Sequence, residues 1–424
     1  MSKSGKCALR ILITGTNTTF DNGESAMASM AVKSLKQVFP NARLTIGSTQ
    51  KEADMKRWSR MLPKESNALS LVGVSSASKL PRNLKAVAVI ISYLPEFFKT
   101  DICVDISGDG FSDITQFSLV AILTHSFQLL GGVVFRKPVV ICAQSIGPFN
   151  SGLSRFLARF VINNVDLVTV REQISKGYLR QLGISKPVLE VTSDFAFLLE
   201  PVSFQETTGL LAKERIDSGN RVMVGLVLSE IISKWTSPDI VDSTKKYVHY
   251  INTMAEVADY LVEQYNATVV LMPQCFGEFA RHDDRVAMRR VYQRVKNRSN
   301  VYMITGDYVP AEIKGIISQC SMVVTAKMHA AIAAVSTFVP AVVMAYSFKS
   351  RGIFGKKLGL GDTILGVRDY KSTELLSALK EKIDFVWENQ KLISSDLKKR
   401  IPIERQKAIF NAKLVADLVA EKED

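Results

Sequence analysis

Short β-branched runs, each closed by turn residues, recur along the whole chain and are separated by longer helical stretches. That alternation is the mark of βαβ units, in which strands pair side by side as a parallel sheet with helices on its faces. In the first half the runs are Leu9–Ile13, Arg43–Gly47, Ile102–Ile106, Val139–Ala143, Leu167–Val170 and Val188–Val191. In the second they are Val222–Leu228, Thr268–Met272, Val301–Ile304, Met322–Thr325 and Ala341–Ala345. Each half therefore has enough strands for a sheet of its own. At 424 residues the chain is also too long for one core, because single cores stop growing near roughly 250 to 300 residues. The expectation is an α/β protein of two doubly wound domains, 1–200 and 201–371, joined between Glu200 and Gly219. Helices without strand signal, 372–424, would close the structure. Two facing Rossmann-like domains with parallel sheets make a GT-B-like architecture, and ligands of open parallel sheets bind beyond the carboxyl ends of the strands. Chemistry is therefore expected just after each strand.

Composition narrows the class further. With 47% apolar and 22% charged residues the chain can bury a core, so disorder is excluded as its general state. The five cysteines are scattered and never form a CxxC pair, which argues for a reducing compartment and against structural zinc; four lie in or beside apolar runs, as small buried hydrophobes do. No apolar leader is visible in Met1–Arg10. The long apolar stretches Ser118–Phe135 and Met322–Tyr346 contain His125, Gln128, Lys327 and His329, groups that a bilayer span rarely carries unpaired. A cytoplasmic protein is expected. The net charge of +13 is uneven: Met1–Thr100 has 15 basic and 6 acidic residues, a surplus of nine. Such a field favours anionic partners such as phosphorylated substrates, acidic glycans or headgroups. No nucleic-acid motif accompanies it.

Several strand ends carry polar groups. The first leads into Asp21-Asn22-Gly23-Glu24-Ser25-Ala26, where a glycine loop opens a helix and exposes backbone N–H groups suited to an anion; the same loop also serves as an ordinary βα turn. The run Asp105-Ile106-Ser107-Gly108-Asp109, continuing to Asp113, gathers three carboxylates that are costly to bury unpaired, so they should face solvent, a metal or a substrate hydroxyl, unless they only make a turn. Arg171 follows another strand and could fork onto a carboxylate or phosphate, or simply pair with Glu172 or Asp194. In the second half Met322–Thr325 runs straight into Lys327 and His329 at the start of an Ala-rich helix. A lone histidine is more often structural than catalytic, yet a cation and an imidazole at a helix N-terminus make a candidate site. Lys349 and Arg351 follow the next strand.

Taken together the segments resemble the polysaccharide pyruvyltransferase family. The resemblance runs from Asn22-Gly23-Glu24-Ser25-Ala26 to the 349–360 segment, and its most specific stretch is Gln144-Ser145-Ile146-Gly147-Pro148-Phe149, supported by Arg171-Glu172-x-x-Ser175 and Ser193-Asp194-Phe195-Ala196-Phe197. It implies a GT-B-like fold, phosphoenolpyruvate as donor, a glycan or lipid-linked glycan acceptor, no cofactor and no required metal. Two positions depart from the family pattern: Lys327 stands where the family usually has Arg, and Glu24 where it usually has Asp. Lysine keeps the charge and gives up the bidentate fork.

Ketal formation from phosphoenolpyruvate requires a proton at the methylene carbon, a hydroxyl attacking the central carbon, and expelled phosphate. On this reading His329, Asp105 and Asp109 are the catalytic candidates, with His329 as proton donor or phosphate ligand, a task suited to an imidazole pKa of about 6.5. Arg171, Lys327, His329, Gln144, Ser145 and Lys349 would bind the donor, Arg171 and Lys327 from different domains. Asn22, Gly23 and Glu24 would meet the acceptor. Two rivals remain: a nucleotide-sugar glycosyltransferase of the same architecture, and a glycan-binding relative without activity. Finally, Lys51–Lys64 interleaves Lys51, Lys56, Arg57, Arg60 and Lys64 with Met55, Trp58, Met61 and Leu62. As a helix it either covers the first sheet or lies in a membrane interface, which would make the protein peripheral at the inner face of the membrane. Self-association is left open.

Overall fold

A computed structural model describes residues 8–16, 18–73, 82–112, 119–217, 219–277 and 283–423; Cys7, Asn17 and Asp113 lie outside them. The chain forms two compact units. One comprises Met1–Thr19, Glu24–Leu198 and Glu404–Asp424, the other Phe20–Gly23 and Leu199–Ile403. The division falls between Leu198 and Leu199, and the C-terminal helices are no unit of their own: residues up to Ile403 belong to the second unit and those from Glu404 to the first.

Among the described residues the first unit holds seven strands, β1 (Arg10–Thr14), β2 (Arg43–Gly47), β3 (Leu69–Val72), β4 (Ile102–Asp105), β5 (Val139–Gln144), β6 (Leu167–Val170) and β7 (Val188–Val191). All neighbours pair in parallel, in the order β3-β2-β1-β4-β5-β6-β7. The connecting helices are α1 (Asn22–Val38), α2 (Lys51–Met61), α3 (Arg82–Lys99), α4 (Leu119–Val134), α5 (Gly152–Ile162) and α6 (Gln173–Gln181). Right-handed crossovers place α1 and α2 on one face of the sheet and α3 to α6 on the other. The core of that second face confirms it, since Phe97, Leu129, Ala158, Val161 and Leu179 of these helices pack on Leu12, Val139, Ile141 and Val168.

The second unit opens with α7 (Phe204–Lys213), whose Ser203 and Glu206 form a reciprocal capping box. Then alternate β8 (Val222–Val227), α8 (Ser243–Tyr265), β9 (Ala267–Leu271), α9 (Asp284–Tyr292), β10 (Val301–Met303), α10 (Pro310–Ser318), β11 (Met322–Thr325), α11 (Met328–Ser336) and β12 (Ala341–Ala345). After the short α12 (Phe348–Ser350) come β13 (Ile364–Gly366), α13 (Ser372–Glu388) and α14 (Gln390–Glu423). Its six parallel strands run β10-β9-β8-β11-β12-β13. Both sheets thus reverse direction beside their first strand, between β1 and β4 and between β8 and β11. The fold class expected from the sequence is the one observed, with two Rossmann-like parallel sheets.

The last part of α14 is fastened to the first sheet by two buried side chains, Asn411 and Glu404. Asn411 accepts hydrogen bonds from the hydroxyls of Thr169 and Thr192, both at 2.6 Å, and donates to the Ser193 carbonyl at 2.9 Å. Ser193 in turn donates to Glu404.

The interfacial reading of the Lys51–Lys64 helix is not what the structure shows. In α2, Trp58 and Arg57 are each 2% exposed, and Arg57 Nε donates to the Thr19 carbonyl at 3.0 Å. The face that would have entered a membrane covers the first sheet instead.

Candidate functional site

In open parallel sheets a crevice forms where the strand order reverses, beyond the carboxyl ends of the two strands involved. In the first unit that crevice is filled by the chain itself. Gly15, at φ +85, packs so tightly on the residues after β4 that an added Cβ would lie 2.6 Å from Cβ of Ser107. Thr14 donates to Asp105 at 2.8 Å.

Around this closed point the structure gathers four of the residues expected to act on substrate, and commits them to one another. Asp105 is 1% exposed. One of its oxygens takes the Thr14 hydroxyl; the other meets the amide of Gln144, the Ser107 hydroxyl at 2.9 Å and His125 Nε2 at 3.5 Å. The expectation that this carboxylate faces solvent, a metal or substrate is therefore corrected: its burial cost is met by internal donors. Gln144 is likewise enclosed, with its carbonyl oxygen 2.9 Å from the Ser107 hydroxyl. Arg171, 1% exposed, donates through Nε to Ser145 at 2.8 Å and pairs with Asp194 at 2.6 Å. The pairing alternative holds for Arg171, whose Nη2 has no hydrogen-bond partner among the described residues, and Gln144, Ser145, Arg171 and Asp105 tie together the loops after β4, β5, β6 and β7. Asp109 and Glu24 are half-buried in the same unit.

The crevice of the second unit is different. β11 ends at Thr325, beside Val227 of β8, and the chain turns through Lys327 into α11. Lys327 N–H bonds Thr325 Oγ1 at 2.9 Å, holding the lysine at the N-cap. Its ammonium lies 3.1 Å from Asp284 Oδ1 and 3.1 Å from Cys275 Sγ. Cys275 donates onward to Asp21 Oδ2 at 3.1 Å. Asp284 is itself fixed by the backbone N–H groups of Gln274 and Cys275 at 3.0 and 2.8 Å. Burial alone would lower the Lys327 pKa, but Asp284, with Cys275 and Asp21, outweighs it and holds the ammonium well above its ordinary value. Burial, reinforced by Asp21, pushes the Cys275 thiol well up, with Lys327 opposing. The cluster is thus a protonated lysine beside a neutral thiol, bracketed by two aspartates.

Residues Phe20–Gly23 belong to this unit and run along the segment after β9. Asn22 N–H donates to the Gln274 carbonyl at 2.8 Å, and its side-chain amide to the Tyr308 carbonyl at 3.1 Å. Asn22 is 2% exposed, so it ties down the strap and does not present itself to an acceptor, as the sequence had suggested. Gly23 is needed for a different reason from the one expected: a Cβ there would come within 2.9 Å of the His329 ring carbon Cγ. The imidazole rests directly on that glycine. The sequence-derived candidates Asn22, Gly23, Lys327 and His329 are thereby brought together. Lys349 lies 5.6 Å from the Tyr346 ring centroid; Tyr346 stacks on Trp235 at 6.3 Å, and the Arg368 guanidinium lies 3.8 Å from the Trp235 ring centroid. Sequence reasoning placed Asp21 in the first loop and Asp283-Asp284-Arg285 after a strand without giving them a role, and missed Cys275 and Trp235. The one available signal was position, since Cys275 and Asp284 follow β9 as Lys327 follows β11. Among the described residues no group of three His, Cys, Asp or Glu is arranged to hold a metal ion.

Two Rossmann-order parallel sheets, the second with a lysine and a histidine at its strand-order reversal, define a GT-B-like fold. The chain belongs to the polysaccharide pyruvyl transferase family, whose model matches residues 23–348. Among its relatives, the amylovoran biosynthesis protein AmsJ of Erwinia amylovora is 22% identical over 342 residues, 80% of this chain and 77% of that protein. Solved structures show likeness of fold alone. HepE of Anabaena, in complex with UDP and glucose, superposes with a TM-score of 0.59 at 13% identity, over 97% of this chain and 100% of that one. UDP-GlcNAc 2-epimerase of Neisseria meningitidis gives 0.60 at 11% identity, over 97% and 99%.

Proposed function

We propose that this transferase takes the enolpyruvyl group from phosphoenolpyruvate and sets it as a ketal on a sugar of a glycan or lipid-linked glycan, with the donor bound beyond β8 and β11. The observation that carries the reading is the placement of Lys327 and His329 at the strand-order reversal of the second sheet, at the N-terminus of α11. Among the described residues two contacts of the Lys327 ammonium are taken, by Asp284 and Cys275; an ammonium has three N–H groups, and the third is the one proposed to meet an anionic donor oxygen. His329 is the group to protonate the methylene carbon or to meet the leaving phosphate. The atoms balance when a sugar hydroxyl adds to the central carbon, its proton is lost, the methylene becomes a methyl group, and a second hydroxyl displaces phosphate to close the ketal.

The test is phosphate release from phosphoenolpyruvate with galactosyl, mannosyl and glucosyl acceptors. His329→Ala should reduce it by about 10²- to 10⁴-fold, the range for loss of a general acid, with an unchanged melting temperature. Lys327→Arg should retain donor binding. No release with any acceptor, together with thermal stabilisation by UDP or GDP sugars but not by phosphoenolpyruvate, would place the chain with nucleotide-sugar enzymes. Glycan binding without turnover would make it a binding relative.

A further inference from the structure

On the outer side of α3, α4 and α5 the same pattern repeats three times. A helix covering a sheet normally buries one stripe and shows water a polar one. In α5 the buried stripe is Ser154, Ala158, Val161 and Ile162, but the opposite side carries Leu153 at 52%, Phe156 at 65% and Phe160 at 52% exposure, at i, i+3 and i+7. In α3, Phe97 and Tyr93 are buried while Ile91, Leu94, Pro95 and Phe98 face outward, again at i, i+3, i+4 and i+7. In α4, Ile122 and Leu129 point inward with His125 and Gln128, while Leu123 at 46% and Val134 at 73% are exposed on a stripe whose middle residues, Phe127 and Leu130, are half-buried against the core. α4 has no charged residue at all. The stripes adjoin, since α4 lies between α3 and α5. Phe127 meets Phe97 at 6.2 Å, and Phe98 meets Phe135, the residue after Val134, at 4.3 Å between ring centroids.

A continuous apolar face of this kind on a folded unit marks an interaction site, and its charge says with what. Among the charged residues of these helices whose side chains are described, Lys99, Arg155 and Arg159 are basic and Glu96 is the one acid. Arg136 and Lys137 follow directly. Arg155 and Arg159 are exposed along one flank of Phe156 and Phe160. Pairing the same face of two copies would set these cations against their like. No helix among the described residues is long and apolar enough to cross a membrane. We infer that the outer face of α3, α4 and α5 is the membrane-docking surface of this protein, seated in the interface of an anionic phospholipid bilayer with its aromatic and aliphatic side chains dipped among the lipids and its arginines at the headgroups.

The inference stands apart from the donor reading, because vesicle binding and phosphate release can fail separately. The full chain should float with phosphatidylglycerol vesicles at low salt, more weakly with phosphatidylcholine, and come off as salt is raised. Phe156→Ser with Phe160→Ser should cut the bound fraction about tenfold or more, the scale expected for withdrawing two large apolar side chains from lipid. Val241→Ser, at a residue 95% exposed in the other unit, should change nothing. If the double variant does not fold, Arg155→Glu carries the test and should reduce binding to phosphatidylglycerol selectively. Absence of binding by the unmodified chain, or binding indifferent to these changes, overturns the inference. So does a dimer in solution that the double variant splits while vesicle binding is absent, for the face would then belong to a second copy.

Discussion

At the scale of single residues, the crevice beyond the second sheet depends on what is missing from Gly23. The His329 ring occupies the space that any side chain there would need. Gly23→Ala should therefore push the imidazole aside, costing about 1 to 3 kcal/mol as overpacking does, and phosphate release should fall far more than the urea midpoint. Activity that survives with the imidazole displaced would remove His329 from the chemistry. Lys327 and His329 were legible in the sequence because a cation and an imidazole directly after an apolar strand violate the pattern around them. Their partners were not. Cys275 and Asp284 reach Lys327 from a segment some fifty positions earlier, and no local pattern announces such a meeting. Asp105 and Arg171 misled for a related reason: a charged side chain at a strand end looks the same in sequence whether it faces a ligand or a buried partner, and here Thr14, Gln144 and Asp194 were the partners.

At the scale of elements, α2 is held by an aspartate, not by apolar contact alone. Asp54, 1% exposed, accepts from Thr19 N–H at 2.7 Å and from the hydroxyls of Thr19, Ser48 and Thr18 at 2.6, 2.6 and 3.1 Å. Asp54→Ala would orphan these donors at once, and should lower the stability by about 3 kcal/mol or more, read as a lower urea midpoint. Asp54→Asn, which keeps acceptors, should cost less. Strand positions were read from the sequence where apolar and β-branched residues run together: β2, β6, β11 and β12 inside the sheets, and β7 at an edge, occupy the expected residues. β3 (Leu69–Val72) and β13 (Ile364–Gly366) were missed. Both are short edge strands of their sheets, paired on one side only, so neither needs the continuous β-branched run that makes an inner strand visible. The amphipathic reading of α2 had the right residues on one face, and only the fold could say that this face was already covered.

For the molecule as a whole, both units share an alkaline limit. Burial pushes the thiols of Cys103, Cys142 and Cys320 up to about 12 from an ordinary value of 9.0, with the Thr169 hydrogen bond opposing it at Cys142. In the folded chain they hold their protons to about pH 12, while in the unfolded chain they begin to release them near pH 9; between these values the unfolded state binds fewer protons, and stability falls as pH rises. Each thiol contributes up to about 1.4 kcal/mol per pH unit in that window. Urea midpoints should be flat from neutral pH to about 9 and then decline, and Cys320→Ala should soften the decline. A midpoint constant to pH 11 would show that the thiols ionise in place. The clasp that Asn411 and Glu404 make on Thr169, Thr192 and Ser193 sets an order of events at the ribosome. Residues 404–423 are synthesised after everything else in the first unit by a gap of more than two hundred positions, and all of the second unit except Phe20–Gly23 is made in between. The nascent first sheet must therefore wait with its β6 and β7 ends uncapped, and the unit begun first is the one finished last.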